Sequence, residues 1–221
     1  MIYSITGVLG QDALSRVRAL AETLEFVDGL LTNAASTVKR NEQISHGDQR
    51  AAEVGLILRD ALMAHPRVSS LTWPRQLTRP TLARYQPGMT YGWHVDAAMF
   101  PSQPPMRSDV SCTVFLTPPD EYEGGELEFQ WGGEVRSCKL AAGDAILYPS
   151  TTIHRVTPVT RGTRLVAIAW IQSYIADAHQ RDMLGQIDEL RSLVGDADQR
   201  ERSLVLLESL RHNLFRAWSD T

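Results

Sequence analysis

Residues 139–173 read KLAAGDAILYPSTTIHRVTPVTRGTRLVAIAWIQS. Two β-type runs stand in this segment, AILYPS at 145–150 and RLVAIAWIQ at 164–172, both rich in branched and aromatic residues. Ala142-Gly143-Asp144 and Gly162 supply turn chemistry at the joints. The same rhythm extends upstream through TLARY (81–85), SCTVFL (111–116), GELEFQW (125–131) and EVRSCKL (134–140). Pro87-Gly88, Gly124-Gly125 and Gly132-Gly133 separate those runs. Run length, spacing and turn chemistry together predict an antiparallel sandwich or barrel over 76–174.

On both sides the apolar period becomes helical. Leu14, Val17, Ala21 and Leu24 form one stripe, and Val54, Leu58, Ala61 and Leu62 another, with Asp48 placed to cap the second helix. Between them GLLTNAASTVKRNEQI, 29–44, is polar and reads as extended or looped. Residues 1–75 are therefore expected to form a helical support region that braces the sheet. Beyond 175, Met183, Ile187, Leu190 and Val194 make a third stripe, and Leu207, Leu210, Leu214 and Trp218 a fourth, with Gly195-Asp196 as the turn. The C-terminal helical region, 175–221, can bury those stripes in its own core or against a second copy of the chain as a homo-oligomer. The expected class is α+β with a mainly β core.

Composition narrows the functional classes. The 221 residues are 43% hydrophobic and 22% charged, ordinary for a globular chain with a sizeable core. Lys plus Arg number 22 against 26 Asp plus Glu, a net charge of −4. That balance lacks the positive excess that binds phosphate backbones, so no nucleic-acid partner is expected. The opening MIYSITGVLGQDALSRV has no basic segment ahead of an apolar one. No stretch nears the roughly 20 apolar residues of a membrane span, so no membrane partner is expected and the location is read as cytoplasmic. Cys112 and Cys138 have no CxxC spacing, and Cys112, inside an apolar run, is expected to be a buried reduced thiol.

The chemistry concentrates in YGWHVDAAMF. In an extended segment positions i and i+2 share a face, so His94 and Asp96 can present an imidazole nitrogen and a carboxylate oxygen to one point. His154 follows far downstream, just ahead of a β-type run. Two histidines and one carboxylate with open positions make the facial triad of non-haem Fe(II) oxygenases, whereas structural zinc wants four protein ligands. His46, His65, His179 and His212 fall in polar or helical segments and read as surface or structural. Arg164 opens the strand ten residues after His154. A guanidinium aimed inward is costly to bury unless it meets an anion, and its planar fork suits a carboxylate. A dicarboxylic keto acid satisfies both features. Arg161, in the turn with Gly162, is expected to be solvated.

Three strings, RYQPGMTYGWHVDAAM (84–99), RSDVSCTVFLTPPDEYEGGELEF (107–129) and the whole of 139–173, resemble the PKHD-type hydroxylases. These are Fe(II)- and 2-oxoglutarate-dependent dioxygenases related to prolyl 4-hydroxylases. FVDGLLTNAASTVKRNEQ (26–43) resembles the bacterial subgroup associated with iron uptake. The resemblance implies a double-stranded β-helix, a cupin-like jelly roll. It also implies Fe(II), 2-oxoglutarate and O₂ as cofactor and cosubstrates, with L-ascorbate as a reductant.

By position, His94, Asp96 and His154 match the iron ligands, and Arg164 matches the residue that binds the distal carboxylate of 2-oxoglutarate. Tyr85 matches a pocket tyrosine, and Ser111, Thr113 and Phe115 share a strand face expected to line the same pocket. Relatives often carry a tyrosine where Phe115 stands, so Thr113 is the expected substitute for its hydrogen bond. Leu127, Val156 and Trp170 fall at pocket-wall positions. The implied activity is hydroxylation of an unactivated C–H with decarboxylation of 2-oxoglutarate to succinate and CO₂, linked to iron homeostasis. The carboxylate of Asp96 favours hydroxylation over halogenation, which needs a small residue there. The substrate is expected to be a small molecule or a peptide, with AAMFPSQPPMR (97–107) as a substrate lid or a plain connection. Two competing readings are a non-catalytic iron or 2-oxoglutarate sensor and a cupin-like scaffold.

Overall fold

The computed structural model describes residues 2–32, 36–45, 48–194 and 197–220. The N-terminal part supplies β1 (Tyr3–Ile5), α1 (Gln11–Thr23), β2 (Phe26–Asp28), a 3-10 turn (Gly29–Thr32), β3 (Lys39–Arg40), β4 (Glu42–Ile44), α2 (Gln49–Ala64), α3 (Pro66–Thr72) and β5 (Pro74–Leu77). Next come β6 (Thr81–Tyr85), β7 (Thr90–His94), β8 (Met99–Phe100), β9 (Met106–Arg107), β10 (Val110–Phe115), β11 (Tyr122–Gly124) and β12 (Leu127–Trp131). The barrel closes with β13 (Glu134–Cys138), β14 (Ala145–Pro149), β15 (His154–Val156), β16 (Val159–Gly162) and β17 (Arg164–Ser173), before α4 (Ala178–Leu193) and α5 (Ala197–Trp218).

The strands build a major sheet in the order β1-β14-β10-β17-β6-β4-β2, with β5 paired to the far end of β17, and a minor sheet in the order β13-β12-β15-β7-β3. All the pairings are antiparallel. The result is the expected double-stranded β-helix with helices on its N- and C-terminal flanks.

Alternation along the central strands sets the two faces of the major sheet. Val110, Cys112 and Val114 of β10, Ala145 and Leu147 of β14, and Ala167, Ala169 and Ile171 of β17 point one way. They meet Leu14, Val17, Leu20 and Ala21 of α1 and Val54, Leu58 and Leu62 of α2. The two N-terminal helices brace the sheet, each fully buried leucine contributing about 1.5–3 kcal/mol. Asp48 caps α2, its side chain accepting from the Arg50 amide at 2.8 Å. Cys112 is buried and free, and burial pushes its thiol up to about 12, so it is an inert thiol. The opposite face, with Phe115, Ile146, Tyr148 and Val166, looks toward the minor sheet and encloses the site.

One sequence reading sharpens and another changes. The polar 29–44 segment contains β3 and β4, which join the minor and the major sheet respectively. Lys39-Arg40-Asn41-Glu42-Gln43 shows no apolar alternation because its buried members, Lys39, Asn41 and Gln43, are polar and face a cavity. The C-terminal stripes also shift. On α4 the buried apolar residues are Leu184 and Ile187, while Met183 and Leu190 are exposed. On α5, Leu207, Leu214, Phe215 and Trp218 pack with Trp73 and Ile175, while Leu210 is exposed. Spacings of three and four allow two neighbouring stripes on one helix, and the packing of α4 between α3 and α5 selects one. The expected Gly195-Asp196 turn lies outside the described residues. Among the described residues no helix is long and apolar enough to cross a membrane.

Candidate metal and cosubstrate site

β7 and β15 are antiparallel neighbours in the minor sheet, and their register sets His154 opposite His94. Asp96 follows two residues after His94, beyond the end of the strand. One donor atom from each of His94, Asp96 and His154 lies within 4.8 Å of the others. The two rings are 4.2 Å apart, and His154 Nε2 is 3.9 Å from Asp96 Oδ2. No other such cluster is found among the described residues.

The surroundings fix both imidazoles in one tautomer. His94 Nδ1 lies 2.8 Å from the Gly92 carbonyl, and His154 Nδ1 lies 2.9 Å from the Thr152 carbonyl. A carbonyl only accepts, so each Nδ1 carries the proton and each Nε2 offers its lone pair to the common centre. Tyr91 stacks on His94 at 3.5 Å and 11°. Burial, then the neighbouring His154, pulls His94 down to about 4, which keeps its ring neutral near neutral pH.

Asp96 is held from behind. The Ser111 hydroxyl donates to Asp96 Oδ2 and lies 2.8 Å from the Ser150 hydroxyl. Ser111 thus positions a carboxylate as well as lining the cavity. Outer-shell hydrogen bonds of this kind tune metal affinity. Ser111→Ala is expected to weaken divalent-metal binding about 10–100-fold with little change in folding, as read by metal titration and thermal melting.

The triad opens into a cavity of about 460 Å³. At its inner end stands Arg164, the first residue of the central strand β17, with 1% of its surface exposed. Its cross-strand partner on β6 is Tyr85, whose ring lies 5.0 Å from the guanidinium; the Phe115 ring lies 5.7 Å away. Arg164 Nε has no hydrogen-bond partner among the described residues. A buried donor left unpaired costs about 1–3 kcal/mol. A guanidinium walled by aromatic rings, with its Nε–H unpaired, has the geometry that suits a carboxylate. By contrast, Arg161 is exposed as expected, although it stands in strand β16 rather than a turn, and it engages its cross-strand partner Glu123 at 2.9 Å.

The remaining expected pocket residues divide. Tyr85, Ser111, Thr113, Leu127, Val156 and Trp170 line the cavity. Phe115 is fully buried in the apolar layer behind it and touches the site through Arg164. Sequence reasoning missed Lys39, Asn41, Gln43, Tyr91 and Tyr148, which also line the cavity. Tyr148 sits across from Ser111 in the β10–β14 register and shares a hydrogen bond with Thr113. A phenol therefore stands beside Thr113 although position 115 carries none. Burial lowers the Lys39 ammonium to about 8, and Lys39 Nζ donates to Gln43 Oε1 at 3.2 Å. The 97–107 segment pairs with itself through β8 and β9 and sets Phe100 against Trp170 at 4.8 Å on the outer wall.

Gly125 supports the arginine. Its φ is +67°, and a Cβ there would stand 2.9 Å from Arg164 Cδ and 2.9 Å from Val159 Cγ2. Gly125→Ala is expected to cost about 1–3 kcal/mol of stability through the left-handed backbone. It should also displace Arg164, so an anaerobic 2-oxoglutarate titration should read about tenfold weaker binding if half of a bidentate contact, about 1.4 kcal/mol, is lost.

Two antiparallel sheets around a His-Asp-His cluster, with a buried arginine across the cavity, define a non-haem iron oxygenase architecture. The profile of the 2OG-Fe(II) oxygenase superfamily matches residues 80–172. The chain is 40% identical over 224 residues to a PKHD-type hydroxylase of Shewanella sp. (strain ANA-3), covering 100% of both chains. It is likewise 40% identical over 228 residues to a PKHD-type hydroxylase of Acidovorax ebreus (strain TPSY), covering 99% of each. In fold it is similar to a prolyl hydroxylase from Trichoplax adhaerens solved with a hypoxia-inducible-factor peptide fragment. That match has a TM-score of 0.60 at 19% identity and covers 78% of this chain and 83% of the other. The chain belongs to the PKHD-type hydroxylase family, and it is an oxidoreductase of the dioxygenase class.

Proposed function

We propose that the chain hydroxylates an unactivated C–H bond of its substrate, using Fe(II), O₂ and 2-oxoglutarate, with a role in iron homeostasis. His94, Asp96 and His154 would hold the metal, and Arg164 the distal carboxylate of 2-oxoglutarate. The observation that carries this reading is the joint one of three convergent donors and, across the same cavity, a buried cation with an unpaired N–H. Iron bound there would supply the coupling of O₂ reduction to decarboxylation of 2-oxoglutarate, giving succinate, CO₂ and one oxygen atom for insertion.

The protein's own part is geometric. Gly92 and Thr152 carbonyls hold the imidazoles with Nε2 inward, and Ser111 with Ser150 holds the Asp96 carboxylate. Arg164 anchors one end of the keto acid, and Thr113 and Tyr148 bring hydroxyls to the same wall. Leu127 and Val156 keep water from that end. The outer wall of Phe100 and Trp170 is left for the substrate.

Anaerobic mixing with Fe(II) and 2-oxoglutarate should produce a visible charge-transfer band. Admission of air should then yield succinate, with L-ascorbate prolonging turnover. A band without succinate, even with candidate substrates, would make the chain a sensor. No band, with His154→Ala indistinguishable from wild type, would refute the metal site itself.

A further inference from the structure

A second cavity, about 790 Å³, adjoins the catalytic one and shares Thr78, Arg79 and Phe100 with it. Its floor is β5 and the residues after it, 75–80; one wall is the α2 face bearing Leu56, Arg59 and Met63, and the other is the 102–106 segment. Leu56 and Met63 are exposed there. Three arginines, Arg59, Arg75 and Arg79, line the groove, and no Asp or Glu does. This is a local reversal in a chain whose acids outnumber its bases, 26 to 22.

β5 has one strand partner among the described residues, β17. It runs in line with β6 along the same edge of β17, and β6 is covered by β4 where Gln43 meets Ala83. Among the described residues no strand continues β4 beside β5, and residues 75–77 of β5 line the groove. Such an edge offers amides and carbonyls that only another extended backbone matches in register.

We propose that this groove binds an acidic polypeptide segment in extended conformation, adding to the β5 edge and leading its reactive residue past Phe100 into the catalytic cavity. The arginines are distributed over a helix, a strand and the connection after it, so they suit charges spaced along a chain better than one convergent small anion. Apolar Leu56 and Met63 suit the intervening side chains. For its catalytic end the proposal rests on the hydroxylase reading.

The test is binding, read by fluorescence anisotropy on protein loaded anaerobically with Fe(II) and 2-oxoglutarate. The probe is a labelled, alternating Val-Glu peptide of ~10 residues, long enough to span the groove. The Val-Gln counterpart should bind about tenfold or more weaker, and raising salt from about 50 to about 300 mM should weaken the acidic peptide. Arg59→Glu combined with Arg75→Glu should cost the acidic peptide about tenfold or more, with Arg59→Lys and Arg75→Lys retaining most binding and all variants melting as wild type. N-methylation of alternate peptide amides should likewise weaken binding. Equal binding of the Glu and Gln peptides, or an unaffected charge-reversed variant, would overturn the assignment. So would full displacement by citrate, which would make the site one for small anions, or indifference to N-methylation. Because the anaerobic readout needs no turnover, it tests the groove alone; a separate assay in air that yields no succinate would refute the hydroxylase reading and leave the groove standing.

Discussion

Asp96→Gly is expected to abolish hydroxylation while leaving the fold in place. Asp96 lies beyond the end of β7, so its loss breaks no ladder. It supplies the only carboxylate in the cluster, and the two imidazoles cannot replace its charge. Losing a charged ligand removes several kcal/mol of binding, and at 1.36 kcal/mol per decade this is about a thousandfold or more in iron affinity. Removal also strands the Ser111 and Ser150 hydroxyls, which still pair with each other at 2.8 Å. Thermal melting without metal should therefore barely move, the charge-transfer band should vanish at Fe(II) levels that saturate wild type, and succinate should fall to background. Undiminished product from this variant would refute the assignment of Asp96 as a ligand.

The parts of the site visible in the sequence are those whose geometry is local. His94 and Asp96 share a face by the two-residue period alone, and Arg164 stands out as a charge at the head of an apolar strand. The strand limits were legible for the same reason: TLARY coincides with β6, and EVRSCKL overran β13 by its last two residues. What stayed hidden depends on cross-strand register. Tyr148 meets Ser111 only because β10 and β14 pair with those residues opposite, and Lys39 and Gln43 reach the cavity only because β3 and β4 dock on different sheets. Ser150, next to a turn, gave no signal before its hydroxyl was seen beside Ser111. The C-terminal stripes failed on a related point, since helical spacing gives an apolar surface and only the packing partner says which edge of it is covered.

The largest effect on cosubstrate binding is expected from Arg164→Met, and two of its readouts should diverge. In the ligand-free protein Arg164 is a buried cation whose Nε is unpaired, held between the Tyr85 and Phe115 rings. Methionine fills similar volume with no charge to desolvate, so the ligand-free melting temperature should hold or rise. With 2-oxoglutarate present the sign reverses, because the distal carboxylate then enters a buried apolar pocket with no cation to meet it. Breaking a buried charge pair from one side costs about 3–5 kcal/mol, or about two to four decades in 2-oxoglutarate affinity. Arg164→Lys, retaining charge but losing the planar fork, should fall between the two. The discriminating measurement is the ligand-induced shift in melting temperature, which should be large for wild type and absent for Arg164→Met. A variant that melts early without ligand would instead make Arg164 a structural residue, since a receptor residue has no stabilising work to do until its carboxylate arrives.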